Sequence, residues 1–268
     1  MTDRREMKPD VDLNELWRKM LEEGETLHRL EMRLLELVPS NPRCKVCHAP
    51  FEGIGRLLMP LLGKRRSMQN PNFCDICTRS IPPGGAEIEL TMLFADVRES
   101  TNLAERMTAS DFSKLMSRFY DVTTNVLIRY DAMIDKLVGD EVIGLFIPGF
   151  CGQKHARLAI QSARALLRAT GHDDPHGPWL PVGVGVHTGR AYVGAMRGSE
   201  GIITNMTALG DNMNVAARLA SKARTGEILV TDAAHDASGL NLEGSERREL
   251  ELKGKSQLVG VRVLQTMR

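Results

Sequence analysis

From Glu87 to the C-terminus the sequence alternates between short apolar runs and longer stretches whose apolar residues recur every three or four positions. No other feature restricts the chain as much. Strands interleaved with helices bury their apolar faces only by forming a sheet with helices packed on it. The pattern predicts strands over residues 87–97, 132–138, 141–147 and 227–231, the second and third forming a hairpin about Gly139 and Asp140. A strand pair is expected over 181–187 and 191–196, and helices over 110–130, 155–169 and 212–222. The expected architecture is an α/β or α+β sheet with helices on one face.

Two segments of different character precede this region. Leu13, Leu16, Met20, Leu27, Leu30, Leu34 and Leu37 fall on heptad positions a and d, with Glu23 as the polar break. This predicts an N-terminal helix that either pairs as a coiled coil or lies with its apolar face on the chain's own body. Pro39 and Pro42 stop it. Residues 41–85 carry two Cys-x-x-Cys pairs, Cys44 with Cys47 and Cys74 with Cys77, and end in Pro82, Pro83, Gly84 and Gly85, which read as a linker. The expected division is residues 1–40 as helix, 41–85 as a four-cysteine metal-binding module with its linker, and 86–268 as the main domain.

Four soft thiolates at this spacing suit tetrahedral zinc. Each pair follows an Asn-Pro dipeptide, as if two similar turns present their thiolates to one ion. An iron–sulfur cluster uses the same four ligands and stays open as the alternative. The run Cys44-Lys45-Val46-Cys47-His48 also has the form used for covalent haem attachment, but that chemistry normally needs export and leaves Cys74 and Cys77 without a role. A bound metal adds folding free energy to a segment too small to hold a core unaided.

The chain of 268 residues has a formal net charge of +1, so no global field draws it to nucleic acid or to an anionic membrane. The basic run from Lys64 to Arg66 is thin support for DNA binding. The longest apolar cluster, residues 57–62, is broken by Pro60 and falls far short of the roughly 20 residues that span a bilayer. The first ten residues lack the apolar stretch of a secretory signal. The expectation is a cytoplasmic protein with no membrane span and no nucleic-acid partner, its thiols kept reduced.

Chemistry-bearing residues gather in four elements. Leu90 to Thr101 delivers Asp96 at the end of an apolar strand, then a polar turn with Ser100 and Thr101 that suits phosphate. Asp135 to Phe146 places Lys136 and Asp140 about a tight turn. Val182 to Gly194 is punctuated by glycine, with Arg190 expected at a turn. In Leu209 to Leu219, Asn214 and Arg218 are four apart and share a helix face. His187 is expected to be a packed residue rather than a ligand.

With these four elements in this order, the sequence resembles the class III adenylate and guanylate cyclases from Glu87 to about Leu264. The resemblance implies an α+β fold, a ferredoxin-like βαββαβ cyclase catalytic domain over 86–268, acting as a head-to-tail homodimer with two shared sites. It implies that Asp96 and Asp140 bind two Mg²⁺ or Mn²⁺ ions, that Lys136 and Thr207 read the purine, and that Asn214 orients the ribose. Arg218 matches the transition-state arginine, and Arg190 and Lys253 resemble the triphosphate-contacting cations. Adenine offers an acceptor at N1 and a donor at N6, which Lys136 and Thr207 complement, so ATP is the expected substrate and cyclic AMP the product. Thr207 departs from the Asp of many adenylate cyclases, which makes discrimination against GTP less strict. The Lys and Thr combination resembles the subgroup stimulated by bicarbonate. The rival readings are a guanylate cyclase and a non-catalytic nucleotide-binding sensor of redox or metal status.

Overall fold

The computed structural model describes residues 12–24, 35, 42–67, 70–197 and 203–265. Helix α1, Leu13–Glu23, starts where the Asp12 side chain accepts from the Asn14 N–H at 2.9 Å and ends at Gly24, whose φ of 72° a side chain would resist. It buries Trp17 and Leu21 against β1 (Gly84–Val97), while the heptad position Leu13 stays exposed. The described helix therefore lies on the chain's own body. The heptad positions Leu27, Leu30, Leu34 and Leu37 fall outside the described residues.

Seven more strands complete one sheet: β2 (Met133–Val138), β3 (Glu141–Phe146), β4 (Val182–Arg197), β5 (Ile203–Leu209), β6 (Glu227–Thr231), β7 (Glu246–Leu250) and β8 (Val259–Gln265). Their order is β2-β3-β1-β4-β6-β8-β7, with β5 also paired to β4. All described ladders are antiparallel except β4 with β6. This is the α+β fold with a largely antiparallel sheet.

Strand β1 shows the period-2 logic. Ile88, Leu90, Met92 and Phe94 face one apolar cluster, Leu93, Ala95 and Val97 the other. The second cluster is closed by α5 (Ala109–Arg129), α7 (His155–Ala169) and α9 (Asp232–Ser238), and the first by α1, the cysteine module and α8 (Asp211–Lys222). Both faces of the sheet are covered, not one as the pattern suggested.

Two further expectations are corrected. The strand pair at 181–187 and 191–196 is the single strand β4, paired with β1 from Val182 to Ala195. Its glycines serve close packing instead of a turn. A Cβ on Gly185 would lie 2.5 Å from the Ala220 N and 2.6 Å from the Ala216 carbonyl oxygen, so only glycine lets α8 sit this close. Likewise Gly84 and Gly85, read as linker, open β1 and pair with Ala195 and Gly194.

The module contains α2 (Gly55–Leu58), a 3-10 turn (Met59–Leu62) and α3 (Asp75–Ser80). It grips the edge strand β2. The buried Asn72 side chain donates to the Ala132 carbonyl at 2.8 Å and accepts from the Ile134 N–H at 2.9 Å, and Lys45 forms an ion pair with Asp131. A short α4 (Ser100–Arg106) and α6 (Pro148–Cys151) complete the described helices. None of these is long and apolar enough to cross a membrane.

Candidate active site

Asp96 ends the apolar part of β1 and lies opposite Glu141 on β3, which brings Asp140 alongside: the Val97 N–H donates to the Asp140 carbonyl at 3.0 Å. The chain then turns at Glu99, held at φ 56°, into α4. Ser100, first in α4, donates its hydroxyl to the Asp140 carboxylate, and Thr101 follows it, exposed. Arg98 pairs with Asp96 and also donates to the Ser221 carbonyl at 2.8 Å, tying this strand end to the end of α8. Burial pushes the Glu141 carboxyl up to about 6, Asp140 adding to the shift and Arg98 opposing it. Two carboxylates and two hydroxyls on adjoining turns are oxygen donors of the kind that hard divalent cations take.

A second group forms where β2 approaches β5. Lys136 is exposed on β2, whereas Thr207 on β5 is buried with its hydroxyl unpaired among the described residues. Beside Thr207 lies the buried Asp135. Burial pushes its carboxyl up, against the pull of the Thr207 hydroxyl, Lys136 and the Ala208 N–H, although neither oxygen reaches hydrogen-bond geometry. On α8, Asn214 is exposed and Arg218, one turn on, is half-buried. Lys253 is exposed on the β7–β8 connection, which passes Arg218: a Cβ on Gly254 would lie 3.6 Å from the Arg218 Nη1. Lys255 on the same connection pairs with Asp211.

Arg190 is a correction. The β1–β4 register sets Gly183, not Arg190, opposite Asp96, and puts Arg190 seven residues farther along β4, roughly 23 Å at 3.3 Å per residue. It also projects from the other face of the sheet, where it pairs with Glu87 at 3.4 Å. It cannot serve the Asp96 and Asp140 end of its own chain. The turn expected at Arg190 does not exist, because the residue lies within β4.

Sequence reasoning missed Arg98, Asp135 and the Asp211–Lys255 pair. Arg98 was legible, since it follows Asp96 by two and so shares its strand face. Asp135 was not, because an irregularity between Ile134 and Lys136 breaks the alternation that assigns faces. His187 is a packed residue: its ring nitrogens meet Thr231 Oγ1 at 3.0 Å and Asn212 Oδ1 at 2.9 Å.

Comparison with known proteins decides the family. The sequence profile of the adenylate and guanylate cyclase catalytic domain matches residues 86–265. The chain belongs to this cyclase family. Adenylate cyclase 1 of Rhizobium meliloti (strain 1021) is 28% identical over 141 residues, 49% of this chain and 20% of that protein. An uncharacterised protein of Mycobacterium tuberculosis (strain ATCC 25618 / H37Rv) is 27% identical over 185 residues, 66% of this chain and 32% of its own length. The match thus spans a third or less of these relatives. Among solved structures, the adenylyl cyclase CyaB from P. aeruginosa is 26% identical with a TM-score of 0.58, covering 69% of this chain and 97% of that one. The guanylyl cyclase Cya2 shares the fold at 23% identity, with a TM-score of 0.62 over 69% of this chain and 95% of that one.

Against this cyclase domain the module buries a second candidate metal centre. The Sγ atoms of Cys44, Cys47, Cys74 and Cys77 all lie within 4.8 Å of one another, and the four thiols are free of disulfides. The two pairs are held differently. Cys44 and Cys47 sit in a turn closed by the Cys44 N–H to the Ala49 carbonyl at 2.9 Å, whereas Cys74 caps α3 and Cys77 lies in its first turn. The expected two similar turns are therefore one turn and one helix start. The Cys74 N–H points at the Cys44 sulfur at 3.3 Å and the Cys77 N–H at the Cys74 sulfur at 3.4 Å. Hydrogen bonds from its three neighbours hold the Cys74 thiol well down, while the same contacts push Cys77 up. Four buried thiols cannot all ionise side by side without a cation, so the donor set fits a soft metal.

Proposed function

We propose that this chain is an adenylate cyclase that converts ATP to 3′,5′-cyclic AMP and pyrophosphate in a homodimer. The observation that carries the reading is the pair Asp96 and Asp140, on adjoining strand ends beside the Ser100 and Thr101 turn. These carboxylates would hold two Mg²⁺ or Mn²⁺ ions, which acidify the ribose 3′-hydroxyl and neutralise the leaving phosphates. In the reaction the ribose 3′-hydroxyl would give up its proton to solvent, its oxygen would bond to the α-phosphorus, the bond from that phosphorus to the bridging oxygen would break, and pyrophosphate would depart. Asn214 would orient the sugar, Arg218 would stabilise charge gathering on the α-phosphoryl oxygens, and Lys253 would contact the triphosphate.

Each site would join the Asp96 and Asp140 end of one protomer to Lys136, Thr207, Asn214, Arg218 and Lys253 of the other. Exposed apolar side chains support a partner here: Leu137 and Val138 follow Lys136, and Tyr192 pairs with Leu209 beside Thr207. Asp135 favours ATP over GTP. As a carboxylate beside the Thr207 hydroxyl it would accept a hydrogen bond from that hydroxyl once the two close to bonding distance, leaving the Thr207 oxygen as an acceptor for the adenine amino group.

The module is read as residues 41–85 holding a structural zinc, with an iron–sulfur cluster as the alternative, and as a regulator of the catalytic domain 86–268. The Asn72 grip on β2 supports this, because β2 continues into Lys136. The test is turnover of ATP and GTP side by side with Mg²⁺ or Mn²⁺, products separated by chromatography. Cyclic AMP as the dominant product supports the proposal, and no cyclic nucleotide from either substrate refutes it. Mixing Asp96→Ala chains with Asn214→Ala chains should restore activity by leaving one site of the heterodimer intact. No recovery after verified subunit exchange would refute the shared site.

A further inference from the structure

The module presents an aliphatic surface that neither the cyclase domain nor the cysteine centre uses. In α2 and the 3-10 turn, Gly55 and Met59 point inward, while Ile54, Leu57, Leu61 and Leu62 are 65%, 77%, 83% and 60% exposed. Apolar side chains this bare project from the surface instead of lining a groove. Such a run is what soluble folds avoid unless something covers it.

Cations lie within the run and after it. Arg56 lies within it and Lys64, Arg65 and Arg66 follow it directly; together they wall a cleft of about 310 Å³ in which Glu52 is the single acid. Arg56 and Arg65 are exposed. The Arg66 guanidinium is set over the Phe51 ring at 5.6 Å, with its Nε donating to the Pro71 carbonyl at 2.8 Å. Since the whole chain carries a net charge of only +1, this concentration of positive charge is local to the apolar run.

We propose that this face docks on an anionic lipid bilayer, with Leu57, Leu61 and Leu62 entering the headgroup and acyl boundary. Arg56, Lys64 and Arg65 would meet the lipid phosphates. Projecting aliphatic side chains beside lysine and arginine complement a surface that is apolar beneath and negative above. A protein partner would instead require these side chains to seat in pockets, a fit that calls for aromatic anchors and hydrogen-bonding groups among them. The run from Ile54 to Leu62 has no aromatic anchor, and its one polar side chain is the cation Arg56. The cyclase domain would then act at a membrane surface without crossing it.

The test is flotation of the full-length, metal-loaded protein with vesicles of phosphatidylcholine alone or mixed with phosphatidylserine. Binding is expected to the mixed vesicles and not to the neutral ones, and it should weaken as salt is raised. Leu57→Asp with Leu61→Asp should reduce binding by on the order of tenfold or more. Arg56→Glu with Arg65→Glu should have a comparable effect through the other half of the surface. Both variants change exposed side chains and should keep the metal content and cyclase activity of the parent, which separates lost docking from lost folding. Failure of the parent protein to bind the mixed vesicles would overturn the proposal, as would undiminished binding by either double variant. A parent oligomer that dissociates in Leu57→Asp with Leu61→Asp would also overturn it, by assigning the face to a protein contact.

Discussion

Replacing Asn72 with Ala should loosen the strand that carries Lys136. The Asn72 side chain is 2% exposed and is bonded to two backbone groups at the start of β2, the Ala132 carbonyl just before it at 2.8 Å and the Ile134 N–H within it at 2.9 Å. Because β2 is the edge of the sheet, the side chain stands in for a neighbouring strand at these positions. Its removal leaves one buried donor and one buried acceptor without partners. Each costs about 1–3 kcal/mol, so the expected loss is about 2–6 kcal/mol, with the lower figure applying if water enters the gap. Asn72→Asp should cost at least as much as Ala: it keeps the acceptor for Ile134 but sets a buried carboxylate against the Ala132 carbonyl oxygen, which needs a donor. Urea unfolding of the metal-loaded protein reads the stability, and initial rates across an ATP series separate KM from kcat. Lys136 lies two residues past Ile134, so KM for ATP should rise more than kcat falls. A stability change below about 0.5 kcal/mol would refute the reasoning about buried polar groups. A normal loss of stability with unchanged KM would refute the link from the module to purine binding.

Gly185→Ala should destabilise by about 1–3 kcal/mol and lower activity further, because its Cβ meets the backbone of α8, the helix bearing Asn214 and Arg218. Parental stability and rate in this variant would contradict the packing argument. Lys136→Glu should cut kcat/KM for ATP by roughly 10- to 100-fold, the worth of one charge-assisted hydrogen bond, and unchanged ATP kinetics would remove Lys136 from purine recognition. Burial lowers the pKa of His155, His172 and His187, each partly opposed by a neighbouring acid or hydrogen bond. They are harder to protonate folded than unfolded, so acidification favours the unfolded chain, and stability should fall as pH drops below the ordinary histidine value of about 6.5. A melting temperature that is flat from about pH 7 to 5 would contradict this. Elemental analysis should find one metal per chain, removed by Cys77→Ser together with much of the module's thermal stability. Full metal content in that variant would rule out the four-thiolate site.

How much of this was legible beforehand follows from which interactions are local. The hairpin at Gly139 and Asp140 and the helix at His155–Ala169 were readable, because period 2 and period 3.6 are set by neighbours in the chain. So was the placing of a carboxylate at the end of β1. The four cysteines were readable as a cluster because two Cys-x-x-Cys pairs have few other uses, and their Sγ atoms do converge. Arg190 shows the limit. A glycine beside a cation reads locally as a turn, yet Gly185 and Gly189 are small because α8 and the Asn212 side chain press on β4 from outside the strand. Trp17 and Leu21 show it again: the heptad stripe and the stripe that packs on β1 overlap on α1, and only the sheet beneath selects between them.

By itself the sequence determined the hairpin about Gly139 and Asp140, the helices that became α5, α7 and α8, the carboxylate at the end of β1, and that four thiols would be held together. Tertiary structure alone decided which of those elements meet. It set Asp140 beside Asp96, sent Arg190 to the opposite face, buried Asp135 against Thr207 and fastened Asn72 to the edge of the sheet. The physical reason is that local periodicity fixes the direction of a side chain relative to its own strand or helix. Strand order, register and helix approach depend on residues far apart in the chain, and these determine what each side chain faces.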